Sequence, residues 1–142
     1  MSFENPTDEA LRELLTESRV IAMVGASSDP ERPSHGVMQR LLAAGYRVIP
    51  VNPNEREVLG QRAYASLDEL GTAVDIVNVF RRAQYTPSVA RQAVAIGAKA
   101  LWLQEGIVNE QAAAIAKAGN LQVVMDRCIA VDYSVLGVAP KR

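Results

Sequence analysis

Short apolar runs alternate along this chain with stretches in which apolar residues recur every three or four positions. The runs are 19–24 (RVIAMV), 47–51 (RVIPV), 74–80 (VDIVNVF), 99–103 (KALWL) and 121–125 (LQVVM). Their length and bounding turn residues predict strands, and their near-continuous hydrophobicity predicts burial on both faces. Between them lie helical patterns at 34–45, 86–97 and 109–118. The first keeps Val37, Met38, Leu41 and Leu42 on one side and closes at Gly45. The second is expected to open with Thr86 as N-cap and Pro87 at its first position, and the third stops at Gly119. A leading helix is predicted over 8–18 with Leu11, Leu14 and Leu15 on one face, a short helix over 66–70, and a last helical turn over 129–137. Pro50 has no ladder donor, which predicts a strand end or a locally unpaired position.

Five apolar runs separated by amphipathic helices predict an α/β chain: a Rossmann-like, doubly wound, parallel five-stranded sheet in a single domain over 1–142, with 1–18 as a leading helical segment. Right-handed crossovers lead to an expected strand order of 3-2-1-4-5. Such sheets bind ligands at the carboxyl ends of their strands. That rule selects the loops GASSDPERPSHG, NPN, RRAQ, QEG and DRC, which follow residues 24, 51, 80, 103 and 125.

Composition narrows the function classes. A hydrophobic share of 49% against 22% charged residues supports a packed core and argues against disorder. With a net charge of −1 there is no basic excess to attract nucleic acid. Cys128 and His35 are single residues of their kind, so an internal disulfide, a cysteine cluster and a multi-histidine metal site are all excluded. The N-terminal MSFENPTDEALRELL lacks an apolar signal core, and no apolar run is long enough to span a bilayer. A reduced, soluble, cytoplasmic protein without a membrane partner is expected.

The first loop carries the clearest chemistry. Gly25 permits a tight turn at the strand end, and the small Ala26, Ser27 and Ser28 let backbone N–H groups approach a ligand. Pro33 precedes Ser34, expected as the N-cap, and Gly36 sits in the first helical turn. Free N–H groups there suit a pyrophosphate. The loop is not G-x-G-x-x-G; its extra length suits a segment that covers a ligand, and a plain strand-to-helix connection is the alternative. After the second strand an NAD site usually carries Asp or Glu for the ribose diol, whereas this chain has Asn52. Arg56 nearby leaves a phosphorylated ribose open, and NPN also reads as a turn. Phe80, Arg81 and Arg82, joined by Arg32, suit adenine stacking and phosphate pairing, or else are solvated arginines.

Taken together, VGASSDPERPSHGVMQRLLAAGYRVIPVNP, VDIVNVFRR, WLQEGI and VMDRC resemble the small stand-alone CoA-binding proteins. These are similar to the N-terminal CoA-binding domain of the succinyl-CoA synthetase α subunit. The resemblance runs from about residue 15 to 138. It implies that coenzyme A is the cofactor. Gly25, Ala26, Ser27, Ser28, Pro33, Ser34 and Gly36 would hold its pyrophosphate. Val51, Asn52 and Pro53 would border the adenosine, with Phe80 and Arg81 beside the ribose phosphate and pyrophosphate. Gln104, Glu105 and Gly106 would line the pantetheine arm, with Cys128 near the thiol end. The synthetase also needs a second domain bearing a phosphohistidine and an ATP-grasp partner. This chain is expected to end before such a domain, and His35 lies in the phosphate loop, so binding without ligase chemistry is expected.

Other groups stay open. His35 reads as a phosphate donor, an acid-base residue or a surface residue. Cys128 reads as a packed thiol or as a partner in a mixed disulfide with the CoA thiol. Trp102 reads as core. Glu105, Asp126 and Asp132 fall near strand ends with nothing to pair them for acid-base work. The competing functions are an NAD(H)-binding redox sensor or small dehydrogenase-like module and, last, a small enzyme acting on a nucleotide or acyl-CoA. The Ala-rich helix at 109–118 suits packing on its own sheet or on another subunit, whether a protein partner or a second copy.

Overall fold

The computed structural model describes residues 3–141; Met1 and Ser2 of the leading segment, and Arg142, lie outside them. Helix α1 (Asp8–Glu17) starts at Thr7, whose hydroxyl accepts from the Ala10 N–H, and buries Leu11, Leu14 and Leu15. The apolar runs form β1 (Val20–Val24), β2 (Arg47–Val51), β5 (Ile76–Val79), β6 (Ala100–Leu103) and β7 (Gln122–Val124). They make one parallel five-stranded sheet. Helices α2 (Pro33–Ala43), α3 (Thr86–Ala95), α4 (Glu110–Ala118) and α5 (Ile129–Val135) cover it.

Side chains alternate across the sheet as a period of two requires. Ile21, Met23, Ile76 and Trp102 pack with the buried residues of α1, α2 and α5. Ala22, Val24, Val77 and Leu103 pack on the other face, with those of α3 and α4. The expected Rossmann-like single domain is therefore present. Helix α4 buries Ala112, Ala113 and Ala116 in the core on the α3 side of its own sheet. Trp102 is fully buried, and its indole N–H donates to the Arg127 carbonyl at 2.8 Å.

The strand order corrects the expectation. In order of the five predicted strands it is 2-1-3-4-5, not 3-2-1-4-5. The cause lies at the outer edge of β2. The chain after β2 makes a small antiparallel hairpin, β3 (Glu57–Val58) with β4 (Gln61–Arg62), which the hydrophobic pattern did not announce. It then returns Tyr64 to bridge Val51: the Tyr64 N–H donates to the Pro50 carbonyl at 3.0 Å and the Asn52 N–H to the Tyr64 carbonyl at 2.8 Å. Arg47 and Val51 direct their backbone groups toward β1. Pro50, one residue out of phase, therefore turns its donor-less nitrogen outward. With that edge taken up, the third predicted strand, β5, pairs on the far side of β1.

At the opposite margin, the Asn5 side chain donates to the Met125 carbonyl and accepts its N–H, both at 2.8 Å. Two helix starts also differ from expectation. Ser34 is already inside α2, which begins at Pro33 after Arg32 without a side-chain cap. Thr86 is the first residue of α3, and its hydroxyl donates back to the Ala83 carbonyl of a preceding 3-10 turn (Ala83–Tyr85). Among the described residues no helix is long and apolar enough to cross a membrane.

Candidate functional site

From β1 the chain crosses to β2 on one side; from β5 it proceeds to β6 on the other. The crevice of a doubly wound sheet opens where these directions diverge, here between the carboxyl ends of β1 and β5. Gly25 and Phe80 stand at that point. The Phe80 N–H donates to the Val24 carbonyl at 2.8 Å and the Gly25 N–H to the Val51 carbonyl at 2.9 Å. Gly25 has φ of +88°, which turns the chain away from the sheet at once.

The loop from Gly25 to α2 is stiffened from within. The Asp29 N–H donates to Ser27 Oγ and the Glu31 N–H to Asp29 Oδ1, both at 3.0 Å. The Arg32 N–H reaches the Asp29 carbonyl and the His35 N–H the Arg32 carbonyl. The His35 ring places Nδ1 3.0 Å from the Ser27 carbonyl. A carbonyl only accepts, so this contact puts the ring proton on Nδ1. The amides of Ala26, Ser27 and Ser34 make no hydrogen bond to the described residues. Ser27 and Ser34 face the crevice.

The loop after β2 is tied to the first one twice. Asn52 Nδ2 donates to the Ala26 carbonyl at 2.9 Å, while its Oδ1 accepts the Asn54 N–H at 2.9 Å. The amide is thus committed at both ends to loop structure. The second tie is Glu55: the Ser28 N–H donates to Glu55 Oε2 at 2.7 Å and the Ser28 hydroxyl donates to the same carboxylate.

These loops enclose a cleft of about 820 Å³. Gly25, Ser27, Arg32, Pro33 and Ser34 form one wall; Val51, Asn52 and Pro53 form the next; Phe80 and Arg81 stand opposite. Arg82 joins them, so three guanidiniums and no carboxylate line the cleft. Arg81 stacks over the Tyr85 ring, 4.7 Å from its centre, and Arg32 lies 3.9 Å from Asp29. The remaining wall carries no signal in the sequence. Tyr85 comes from the 3-10 turn before α3 and Ser88 and Gln92 from α3 itself, with Ser66 and Ile107 also in the lining.

The other candidate residues lie apart from the cleft wall. Ala26 is fully buried in the core, and Ser28 is engaged by Glu55. His35 and Gly36 lie on α2 just behind the lining. Gln104 is buried, and its Oε1 accepts from Asn78 Nδ2 and from the Ile129 N–H, each at 3.0 Å, so it braces β5 against α5. Glu105 is exposed, and the Gly106 N–H donates to Asp126 Oδ1 at 2.7 Å. Cys128 is half-buried at the start of α5, packed against the core on the α1, α2 and α5 side. Arg127 makes a two-pronged ion pair with Asp132 at 2.8 and 2.9 Å, which removes that carboxylate from any catalytic pairing.

The chain is 43% identical over 132 residues to the uncharacterized protein YneT of Bacillus subtilis, covering 93% of this chain and 98% of that one. It superimposes with a TM-score of 0.90 on the solved structure of a hypothetical protein from Pyrococcus horikoshii, at 38% identity, covering 96% and 99% of the two chains. A shorter match of 59 residues is 42% identical to the α subunit of an ADP-forming acetate–CoA ligase II of Pyrococcus furiosus; it spans 41% of this chain and 13% of the subunit. The family described as CoA binding domain matches residues 19–134, and the chain belongs to that family.

Proposed function

We propose that this protein binds coenzyme A or an acyl-CoA in the cleft between β1 and β5, without ligase chemistry of its own. One observation carries the reading. Ser27 and Ser34, whose amides make no hydrogen bond to the described residues, line the cleft together with three guanidiniums, Arg32, Arg81 and Arg82, and with no carboxylate. CoA presents a diphosphate and a separate 3′-phosphate, and such a ligand needs donors fixed by backbone together with cations on longer arms. The start of α2 supplies the first and the guanidiniums the second. Phe80 and Tyr85 offer aromatic surface to the adenine, and Val51, Val89 and Ile107 offer apolar contact to the rest of the ligand.

Among the described residues, the lining has no carboxylate, imidazole or thiol to serve as a base, which favours binding over turnover. Asn52 weighs against NAD(H), because both ends of its amide are already spent on the loops. Calorimetric titration with CoA, dephospho-CoA and NADH tests the reading. CoA is expected to bind most tightly and dephospho-CoA more weakly. NADH binding as tight as CoA, or no heat with CoA at all, would overturn it.

A further inference from the structure

We infer that Glu55 sets the affinity of this cleft for its anionic ligand, by occupying the donor pair of Ser28 as an internal carboxylate; the inference rests on the CoA-binding reading above. The contact is built by the loop. The Glu55 N–H donates to the Asn52 carbonyl at 3.2 Å and the Asn54 N–H to Asn52 Oδ1, a turn that aims the residue back at the first loop. The Asn52–Ala26 tie holds the two loops together three residues earlier. The carboxylate then takes both the amide and the hydroxyl of Ser28. It makes no ion pair with the described residues, so the Ser28 donors and solvent alone meet its charge.

Ser28 follows directly on Ser27, which lines the cleft and whose amide makes no hydrogen bond to the described residues. A diphosphate seated there meets a like charge one residue away. It either displaces Glu55 and gains two donors, or binds beside it against repulsion. Both routes weaken binding relative to a neutral residue at position 55. A site so arranged releases its ligand more readily than its cations alone dictate.

The test is Glu55→Gln, which keeps the shape and an acceptor oxygen and removes the charge. Glu55→Ala carries the same prediction should the first variant not be obtained folded. Inorganic pyrophosphate and CoA are titrated separately at low salt into the wild-type protein and the variant, with urea unfolding as the folding control. The variant is expected to bind pyrophosphate about fivefold more tightly. Equal or weaker pyrophosphate binding, or none by either protein, overturns the inference. If CoA binds the wild type and the variant gains nothing, the inference alone fails. If pyrophosphate tightens while CoA binds neither protein, the CoA reading fails and the inference stands for another diphosphate ligand.

Discussion

Gly25 and Phe80 approach so closely that a β-carbon on Gly25 would lie 2.3 Å from the Phe80 carbonyl oxygen. The φ of +88° at Gly25 disfavours a side chain independently of that contact. The turn out of β1 at Gly25 and the end of β5 are therefore one packed unit. Gly25→Ala is expected to cost about 2–3 kcal/mol, measured by urea unfolding, since it combines left-handed strain with overlap against fixed backbone. A cost below about 0.5 kcal/mol would mean that β1 and β5 part easily at this point.

Asn52→Asp converts the amide into the residue type that NAD sites use. Here it would set a carboxylate oxygen against the Ala26 carbonyl, where Asn52 now donates at 2.9 Å. The variant is expected to lose about 1–3 kcal/mol of stability and to bind CoA more weakly. It is not expected to gain affinity for NADH. Thermal unfolding with and without each nucleotide checks both halves.

Arg81 and Arg82 line the cleft, and the proposed CoA reading gives them the ligand phosphates. The double variant Arg81→Gln, Arg82→Gln is expected to weaken CoA about tenfold or more, with a smaller loss for dephospho-CoA and a flatter dependence on salt. Both residues are exposed, so stability should hold within about 0.5 kcal/mol. Equal losses for the two nucleotides would remove the 3′-phosphate from their role.

Acid sensitivity should trace to Asp75. Burial pushes its carboxyl up, but the N–H groups of Arg19 and Val20, at 2.8 and 2.9 Å, and the Lys99 ammonium at 3.4 Å outweigh that and hold it below the usual 3.8. A group lowered on folding contributes stability that is present in full above its unfolded value and is lost as pH falls through its folded value. Melting temperature should therefore decline as pH drops below 3.8. Asp75→Asn should begin less stable at neutral pH and decline less steeply on acidification. Parallel curves for the two proteins would assign the acid limb elsewhere.

The strands and helices were legible because burial on both faces leaves runs such as RVIAMV and VDIVNVF that little else produces. Strand order was not, since it turns on one backbone bridge at Tyr64, after a six-residue hairpin with no hydrophobic period. Ser27, Arg32, Ser34 and Arg81, which loop and cation chemistry and the family resemblance single out in the sequence, line the cleft. Gln104 illustrates the limit. A polar residue at a strand end points either toward a ligand or back into the core, and nothing local reveals that Asn78 and the Ile129 amide await it. Glu55 carries no local signal for the related reason that its partner lies 27 residues away.

The outer edge of β2 has a consequence for self-association. An incoming strand needs donors and acceptors in register. There it would meet a proline nitrogen with nothing to offer and a carbonyl already claimed by Tyr64. At β7 the incomer would face only three residues, with Asn5 clasping the position just beyond them. Addition of a further strand to this sheet is therefore disfavoured at β2 by occupied or missing backbone partners and at β7 by the shortness of the edge.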